Sequence, residues 1–282
     1  MEASRAPERG GSVALELVSS HDRPCSTDQL RVSVVIPTFN EADNIPYVLG
    51  RMPDDVHEVL IVDGLSSDGT ADVAREIRPD VRVMTQVVPG KGAALRTGFH
   101  EASGDVVVAL DADGSTDPHE IPAFVGLLLA GADVAVGSRF IQGGGTVDME
   151  THRRIGNRVL TALVRRGFDT HYSDLCYGFF AFWRDVLRVI DAPCTGFEIE
   201  TLLHIRAARS GLRVAEVPSF ESARIHGSSN LSAFRDGLRV LRVITVEWCS
   251  RQSQRTRALV ERRLPESEGC HVDDLTWPVQ TD

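Results

Sequence analysis

Short apolar runs alternate with segments of helical periodicity over the first half of the chain. The runs are rich in Val, Ile and Leu, and we predict strands at residues 32–37, 57–63, 81–87, 105–110 and 132–137. The segments between them predict helices at residues 43–51, 69–78, 91–103 and 118–130. Because strands that are apolar at nearly every position are buried on both faces, the alternation predicts an α/β fold with a Rossmann-like, mostly parallel sheet and helices on both faces.

The pattern changes beyond residue 140. A glycine-rich loop at 142–145 precedes a predicted basic helix near 152–166, and the following segments predict a strand near 178–183, helices near 184–190 and 198–209, and a strand at 213–217. A polar loop at 222–230 leads to a long amphipathic helix from about residue 232, whose apolar residues keep helical spacing at Leu231, Phe234, Leu238, Leu241 and Trp248.

These changes divide the chain into four parts. Residues 1–30 are polar and mixed in charge, and we expect a disordered leader there. The folded domain is predicted at residues 31–231, and a basic amphipathic helical extension follows at 232–263. An acidic, flexible tail is expected at 264–282.

Composition narrows the functional classes. The 282 residues carry a formal net charge of −10, so we exclude nucleic acid as a partner, because proteins that bind it are usually basic. The five scattered cysteines have no C-x-x-C spacing, which favours a reducing compartment and argues against a zinc site. Residues 121–132 form the longest uncharged apolar run, whereas a membrane span needs about 20 residues. Residues 1–11 lack the apolar core of a signal peptide, so we expect a cytoplasmic protein.

Two carboxylates follow the fourth predicted strand, at Asp111 and Asp113. Side chains at i and i+2 of extended backbone face the same side, and like charges this close repel each other unless a cation lies between them. Mg²⁺ and Mn²⁺ take carboxylate and phosphate oxygens as ligands and can neutralise a diphosphate leaving group. The pair is therefore a candidate Mg²⁺ or Mn²⁺ site, although a solvated, Asp-rich turn also explains the pattern taken alone.

Two more strand ends carry residues that could bind a nucleotide. Asp63 ends the second strand, where its carboxylate can accept hydrogen bonds from a base or a ribose hydroxyl. Lys91, the only lysine of the chain, follows the third strand between two glycines. Residues 37–41 contain no glycine, so the G-x-G-x-x-G fingerprint and the P-loop are both missing. The charge of a bound phosphate must then be met by a metal ion and by basic side chains.

Nine segments in order resemble the family 2 glycosyltransferases of GT-A fold, and within them the polyprenol-phosphate (dolichol-phosphate) mannosyl- and glucosyltransferase branch. They run from about residue 31 to about residue 235 and read VVIPTFNEADNI, IVDGLSSDGT, GKGAALRTGF, ALDADGSTDP, VGSRF, RRIGNR, YGFFAFWRDVL, GFEIE and ARIHGSSNL. The resemblance implies inverting, metal-dependent transfer of a hexose from a GDP- or UDP-linked sugar to a polyprenyl phosphate at the cytoplasmic membrane face.

The resemblance also implies roles for particular residues. Those that match the nucleotide-sugar site, besides Lys91, are Pro37, Phe39, Glu41, Asp63, Asp111 and Arg224, and the metal ligands match Asp111 and Asp113. Two positions depart from the family. Ser115 stands where some members have a third ligand, Gln, and Gly64 stands where members usually have a second Asp.

Acceptor binding maps onto the second half of the chain. The resemblance implies that Arg139 and Arg153 hold the acceptor phosphate, and that Asn157 replaces a small hydroxyl residue there. Together with Asp113, these two arginines are the residues that we expect to carry catalysis. A lipid acceptor must be reached from the membrane surface. The basic helix after Ser232 therefore either lies on anionic headgroups, as a peripheral membrane contact, or packs on the domain.

The class of acceptor decides whether a general base is needed. A phosphate monoester has a second pKa of about 6, so near neutral pH it already carries a reactive anionic oxygen. A hydroxyl acceptor would need a general base, and Glu198 and Glu200 are the available carboxylates. The alternative is that these two acids only stabilise the N-terminus of a helix.

Three other functions were weighed. Transfer to a saccharide or another hydroxyl acceptor stays open, and so does a non-catalytic subunit that binds a nucleotide sugar. A sugar-1-phosphate nucleotidyltransferase is disfavoured, because residues 36–45 lack its glycine-rich activating loop.

Overall fold

Strands and helices alternate along the first half of the protein, as predicted. The computed structural model describes residues 23–24, 30–147, 149–191, 193–227 and 232–263. The elements are β1 (Val32–Thr38), α1 (Ile45–Gly50), β2 (Glu58–Asp63), α2 (Thr70–Ile77), β3 (Arg82–Thr85), α3 (Lys91–Glu101), β4 (Val106–Ala109), a 3₁₀ turn (Pro118–Glu120), α4 (Ile121–Leu129) and β5 (Val134–Ser138).

The second half contains more helix. Its elements are β6 (Gly145–Thr146), α5 (Thr151–Phe168), β7 (Phe180–Trp183), a 3₁₀ turn (Arg184–Val186), α6 (Leu187–Ile190), α7 (Ile199–Arg209), β8 (Val214–Pro218), β9 (Phe220–Glu221) and α8 (Ala233–Arg263). The predicted strands and helices are therefore all present, with ends that move by a few residues.

Seven strands form the central sheet in the order β3-β2-β1-β4-β7-β5-β8. Only β7 is antiparallel to its neighbours, β4 and β5, so the mostly parallel sheet is confirmed. Consecutive residues of the central strands are buried, which requires cover on both faces of the sheet.

Close packing fixes α3 against the sheet. A Cβ on Gly98 would lie 2.2 Å from a methyl carbon of Val35, so only glycine lets the helix backbone approach β1 this closely. The next residue, Phe99, meets Phe180 and Phe182 of β7 edge-on, with ring centroids 6.0 and 5.2 Å apart. The start of α3, which carries Lys91, is thereby held at the edge of the sheet where β1 and β2 end.

A small second sheet lies outside the predicted strands. Gly145 and Thr146 of β6 pair in parallel with Phe220 and Glu221 of β9. The prediction of an irregular glycine-rich loop at 142–145 was wrong at its last residue. A strand of two residues is too short to show an alternating pattern, and its pairing depends on chain 75 residues away.

The chain divides into two compact units after Ile244. The unit up to Ile244 contains both sheets, and the other begins at Thr245 and continues α8 to Arg263. In the part of the chain that the structure describes, no helix is long and apolar enough to cross a membrane.

Part of the predicted leader is described. Arg23 lies 2.7 Å from Asp133 and 3.0 Å from Asp185, and its guanidinium lies over the ring of Trp183. Residues 1–22 and 25–29 of the predicted leader, the end of the predicted loop at 228–230, Leu231 and the predicted tail at 264–282 lie outside the described residues.

Candidate active site

The carboxyl ends of β1, β2 and β4 meet at one edge of the sheet, because these neighbouring strands are parallel. Asp63 ends β2 and lies opposite Thr38 of β1, and Asp111 and Asp113 follow β4. The edge beyond the carboxyl ends is where open parallel sheets bind their ligands. The fold therefore gathers the predicted nucleotide-sugar residues on one side of the molecule.

Asp63 is held by two protein donors. The Thr38 hydroxyl donates to its Oδ1 at 3.0 Å, and the backbone N–H of Ser66 donates to its Oδ2 at 2.9 Å. Beside it, a Cβ on Gly64 would lie 3.0 Å from the Thr38 carbonyl oxygen and 3.3 Å from the Phe39 ring. A side chain at position 64 would therefore be tightly packed against β1 and Phe39. The half-exposed Phe39 ring offers an apolar face at the same place.

Lys91 links two acidic residues from different elements. Its Nζ lies 2.6 Å from Asp111 Oδ1 and 2.7 Å from Glu200 Oε1, at the N-terminal end of α7. Burial alone would lower the pKa of Lys91, but the two carboxylates outweigh it and raise the pKa above its usual value. Lys91 is therefore a cation that neutralises Asp111.

Arg224 plays the corresponding part for Asp113. Its Nη2 lies 3.2 Å from Asp113 Oδ2, and its Nη1 donates to Glu41 Oε1 at 3.0 Å. Burial raises the pKa of Glu41, against the opposing effect of hydrogen bonds from Asn44 and Arg224. The other Asp113 oxygen accepts from the hydroxyl of Ser115 at 2.7 Å. The structure thus brings Glu41, Asp113 and Arg224 together, from segments up to 183 residues apart.

Arg139 is buried and paired. Its Nε and Nη2 donate to the two carboxylate oxygens of Asp174 at 2.7 and 2.9 Å, and its Nη1 donates to Glu221 at 3.0 Å. Nη2 also donates to the Cys176 carbonyl at 2.9 Å, and the Tyr177 ring lies under the guanidinium. Every nitrogen of the group thus has a protein partner. An acceptor-binding role for Arg139 stays a prediction, and it requires one of these pairs to open.

The two predicted acceptor residues of α5 have different surroundings. Asn157 is buried and donates to Asp174 Oδ1 at 2.8 Å, so it belongs to the same network as Arg139. Arg153 is half-buried and has no ion pair with any residue that the structure describes. Arg153 is consequently the predicted acceptor cation whose charge is not already matched by a carboxylate.

Sequence reasoning did not single out the acids that complete these pairs. Asp174 and Glu221 both pair with Arg139. In the sequence each is a single acid with no other acid beside it, so no motif marks it. Glu200 was considered as a base or as an acid favoured at a helix N-terminus, and the structure pairs it with Lys91. Gly178 of the YGFF segment also lies at the site, since a Cβ there would lie 2.6 Å from Asp111 Oδ2 and 2.8 Å from Lys91 Nζ.

The site fits a divalent cation in charge and in donor type. Lys91 pairs with Asp111 and Glu200, and Arg224 pairs with Glu41 and Asp113, so each basic group faces two carboxylates and each set has one formal negative charge in excess. No group of three or more acids, histidines or cysteines among the described residues forms a ready-made metal cage. Mg²⁺ typically binds one or two carboxylates and completes its ligand shell with substrate phosphate and water. Asp111 and Asp113 are suited to that arrangement.

Comparisons with known proteins match the chain over most of its length. Residues 33–191 match the family model described as glycosyl transferase family 2. The chain is 35% identical over 215 residues to the undecaprenyl-phosphate mannosyltransferase of Micrococcus luteus. The matched region covers 72% of this chain and 88% of the relative. It is 35% identical over 216 residues to the polyprenol monophosphomannose synthase of Mycolicibacterium smegmatis, with 72% and 81% covered.

Among solved structures, the fold resembles glucosyl-3-phosphoglycerate synthase from Mycobacterium tuberculosis. The TM-score is 0.64 at 25% identity, with 78% of this chain and 81% of that chain covered. That enzyme was crystallised with Mn²⁺, UDP and glucosyl-3-phosphoglycerate, and also with Mg²⁺ and UDP.

Proposed function

The chain belongs to glycosyl transferase family 2 and has the GT-A fold, and from this premise we propose that it transfers a hexose to a polyprenyl phosphate. The donor is a GDP- or UDP-linked hexose, and the anomeric centre is inverted by a single displacement. The observation that carries the proposal is the 35% identity with the undecaprenyl-phosphate mannosyltransferase, over 88% of that relative's length. The proposed place of reaction is the cytoplasmic face of the membrane.

The chemistry of the acceptor simplifies the reaction. A phosphate monoester is largely ionised near pH 7, so its oxygen can attack the anomeric carbon without a general base. The enzyme must then hold the acceptor in line with that carbon and stabilise the charge of the departing diphosphate. We assign the first task to Arg153 and Asn157 on α5, and the second to Asp111, Asp113 and the basic groups beside them.

The donor site can supply positive charge in two ways. Asp111 and Asp113 would hold Mg²⁺ or Mn²⁺, which when bound supplies the charge that stabilises a diphosphate leaving group. Arg224 lies between Glu41 and Asp113 at this edge of the sheet, and its guanidinium is suited to bidentate contact with phosphate oxygens. Phe39 and Asp63 are assigned to the nucleoside.

One face of α5 is suited to a lipid surface. Ile155 and Val159 lie one helical turn apart, and 57% and 54% of their surfaces are exposed. The helix has five arginines and no acid, at Arg153, Arg154, Arg158, Arg165 and Arg166. Apolar side chains flanked by arginines bind at the boundary between anionic headgroups and acyl chains. We therefore propose α5 as a peripheral membrane contact, together with the strongly exposed Phe234 at the start of α8.

Transfer of label into lipid tests the proposed function. The full chain is incubated with undecaprenyl phosphate in detergent and with labelled GDP-mannose or UDP-glucose, with Mg²⁺, Mn²⁺ or EDTA. We expect one of the donors to give label in the butanol phase. This label should be lost when EDTA is added and when the chain carries Asp113→Ala. Asp72→Ala is the matched control, because Asp72 lies on the surface of α2 and forms only a pair within its helix. Absence of lipid-linked label with every donor, or full activity of Asp113→Ala, would refute the proposal.

Vesicle sedimentation tests the membrane contact separately. The full chain should sediment with vesicles that contain phosphatidylglycerol and much less with pure phosphatidylcholine. Ile155→Asp with Val159→Asp should reduce sedimentation severalfold, whereas Ile77→Asp, an exposed apolar position on α2, should not. Equal sedimentation of these variants would remove α5 from the contact.

A hydroxyl acceptor remains the second candidate, since glucosyl-3-phosphoglycerate synthase shares the fold. The same assay with 3-phosphoglycerate in place of the lipid decides between them. Label in a water-soluble product, with none in lipid, would favour the second candidate.

A further inference from the structure

Lys91 and Glu200 form a buried ion pair beside the proposed donor site. The two residues are 109 positions apart in sequence, yet Nζ and Oε1 are separated by 2.7 Å. Only 11% of the Lys91 side chain and 6% of the Glu200 side chain are exposed. Water cannot neutralise either charge there, so the Glu200 carboxylate depends on Lys91, and the Lys91 ammonium depends on Glu200 and Asp111.

Packing on three sides leaves the ammonium little freedom. The loop that begins α3 is pressed against the segment before α7, where the N–H of Gly92 donates to the Thr195 carbonyl at 3.0 Å. The Phe197 ring lies 5.5 Å from Nζ. Gly178 closes the third side, because even a Cβ there would come within 2.8 Å of Nζ. The ammonium is thus held in one place, 2.6 Å from Asp111 Oδ1.

We propose that Glu200 is a positioning residue and not a general base. It anchors the Lys91 ammonium, which in turn fixes the orientation of the Asp111 carboxylate that faces the donor. This inference rests on the proposed function, because only an acceptor that arrives already ionised makes a base unnecessary.

The same geometry gives a reason for the single lysine of an arginine-rich chain. An ammonium is a compact charge that fits between two carboxylate oxygens, whereas a guanidinium is a wide planar fork. A Cβ on Gly178 would already lie 2.8 Å from Nζ, so little space remains on that side for the wider fork. We therefore expect Lys91→Arg to fail at this position, although it conserves the charge.

Titration of the full chain with Mn²⁺ alone, followed by electron paramagnetic resonance, tests the proposal without any acceptor. For Glu200→Gln we expect a roughly ten- to hundredfold weaker affinity for Mn²⁺, the usual effect of removing a group that orients a metal ligand. Lys91→Arg should weaken Mn²⁺ binding to a similar extent. Glu198→Gln is the matched control, because Glu198 precedes the same helix but accepts a hydrogen bond from Gly196 and not from Lys91.

A pH–rate profile on the accepted substrate provides the second readout. For Glu200→Gln we expect a profile of unchanged shape and a reduced rate that saturating Mn²⁺ largely restores. A loss of about 10²-fold or more that Mn²⁺ does not restore, with loss of the acidic limb, would identify Glu200 as a base and overturn the proposal. Unchanged Mn²⁺ affinity with a lowered melting temperature would also overturn it, in favour of a purely structural pair. Since the titration needs no acceptor, its result stands even if the proposed acceptor is wrong.

Discussion

Replacement of Arg139 by methionine distinguishes a structural from an acceptor-binding role for this arginine. Its side chain is 2% exposed and that of Asp174 is 0% exposed, so the pair is out of contact with water. Arg139→Met keeps most of the side-chain volume but leaves the Asp174 carboxylate with neutral donors such as Asn157. Glu221 would keep only the Thr146 hydroxyl as a side-chain donor among the described residues.

The expected cost follows from the burial of the pair. Removal of one partner from a buried ion pair typically costs about 3–5 kcal/mol, because the remaining charge is neither solvated nor paired. A domain of this size loses about 2–4 °C of melting temperature per kcal/mol. The melting temperature of Arg139→Met should therefore fall by about 6–20 °C. The cost of about 3–5 kcal/mol is a large part of the free energy of unfolding of a typical domain, about 5–15 kcal/mol.

Thermal unfolding followed by circular dichroism, together with urea unfolding at pH 7, measures this change. Arg153→Met is the matched control, since Arg153 is half-buried and has no ion pair with the described residues. Its melting temperature should change by less than about 2 °C, because substitutions away from buried networks usually cost under about 0.5 kcal/mol. Equal, small shifts in both variants would refute the reasoning and would leave Arg139 free to bind the acceptor phosphate.

Three further outcomes are expected. Gly178→Ala should fold but lose most of its Mn²⁺ affinity, because the new methyl carbon would lie 2.6 Å from Asp111 Oδ2; affinity equal to the parent chain would contradict this. Gly90→Ala should be strongly destabilised in urea unfolding, since φ is +118° and the Cβ would lie 2.0 Å from the Thr195 carbonyl oxygen, whereas Gly50→Ala, with open space around it, should not be. Burial lowers the pKa of His204 from 6.5 to about 4. Between these pH values the unfolded chain binds a proton at His204 that the folded chain does not bind. The free energy of unfolding should therefore fall by up to about 3 kcal/mol as the pH drops through this range. His204→Gln should lose this part of the pH dependence, and an unchanged slope between pH 7 and pH 5 would count against the assignment.

The central sheet, and the edge of it at which the candidate residues gather, follow from local sequence patterns. Runs such as Val106–Ala109 are apolar at every position, which only a strand covered on both faces accommodates. The acidic pair directly after that run had to lie at the carboxyl edge of a parallel sheet, where Asp63 also ends its strand. These conclusions depend on neighbours within a few residues, so local patterns were sufficient to reach them.

Which charges neutralise each other depends on contacts that form only when the chain folds. Lys91 meets Glu200 across 109 residues and Arg224 meets Glu41 across 183, and no local periodicity carries information about such pairs. The same holds for Arg139. Its position in a motif predicted that it binds the acceptor, whereas in the folded protein it pairs with two carboxylates, Asp174 and Glu221. The sequence gives the charge of each side chain. The free energy of that charge in the folded protein depends on burial and on the nearest opposite charge, which folding brings from a distant segment.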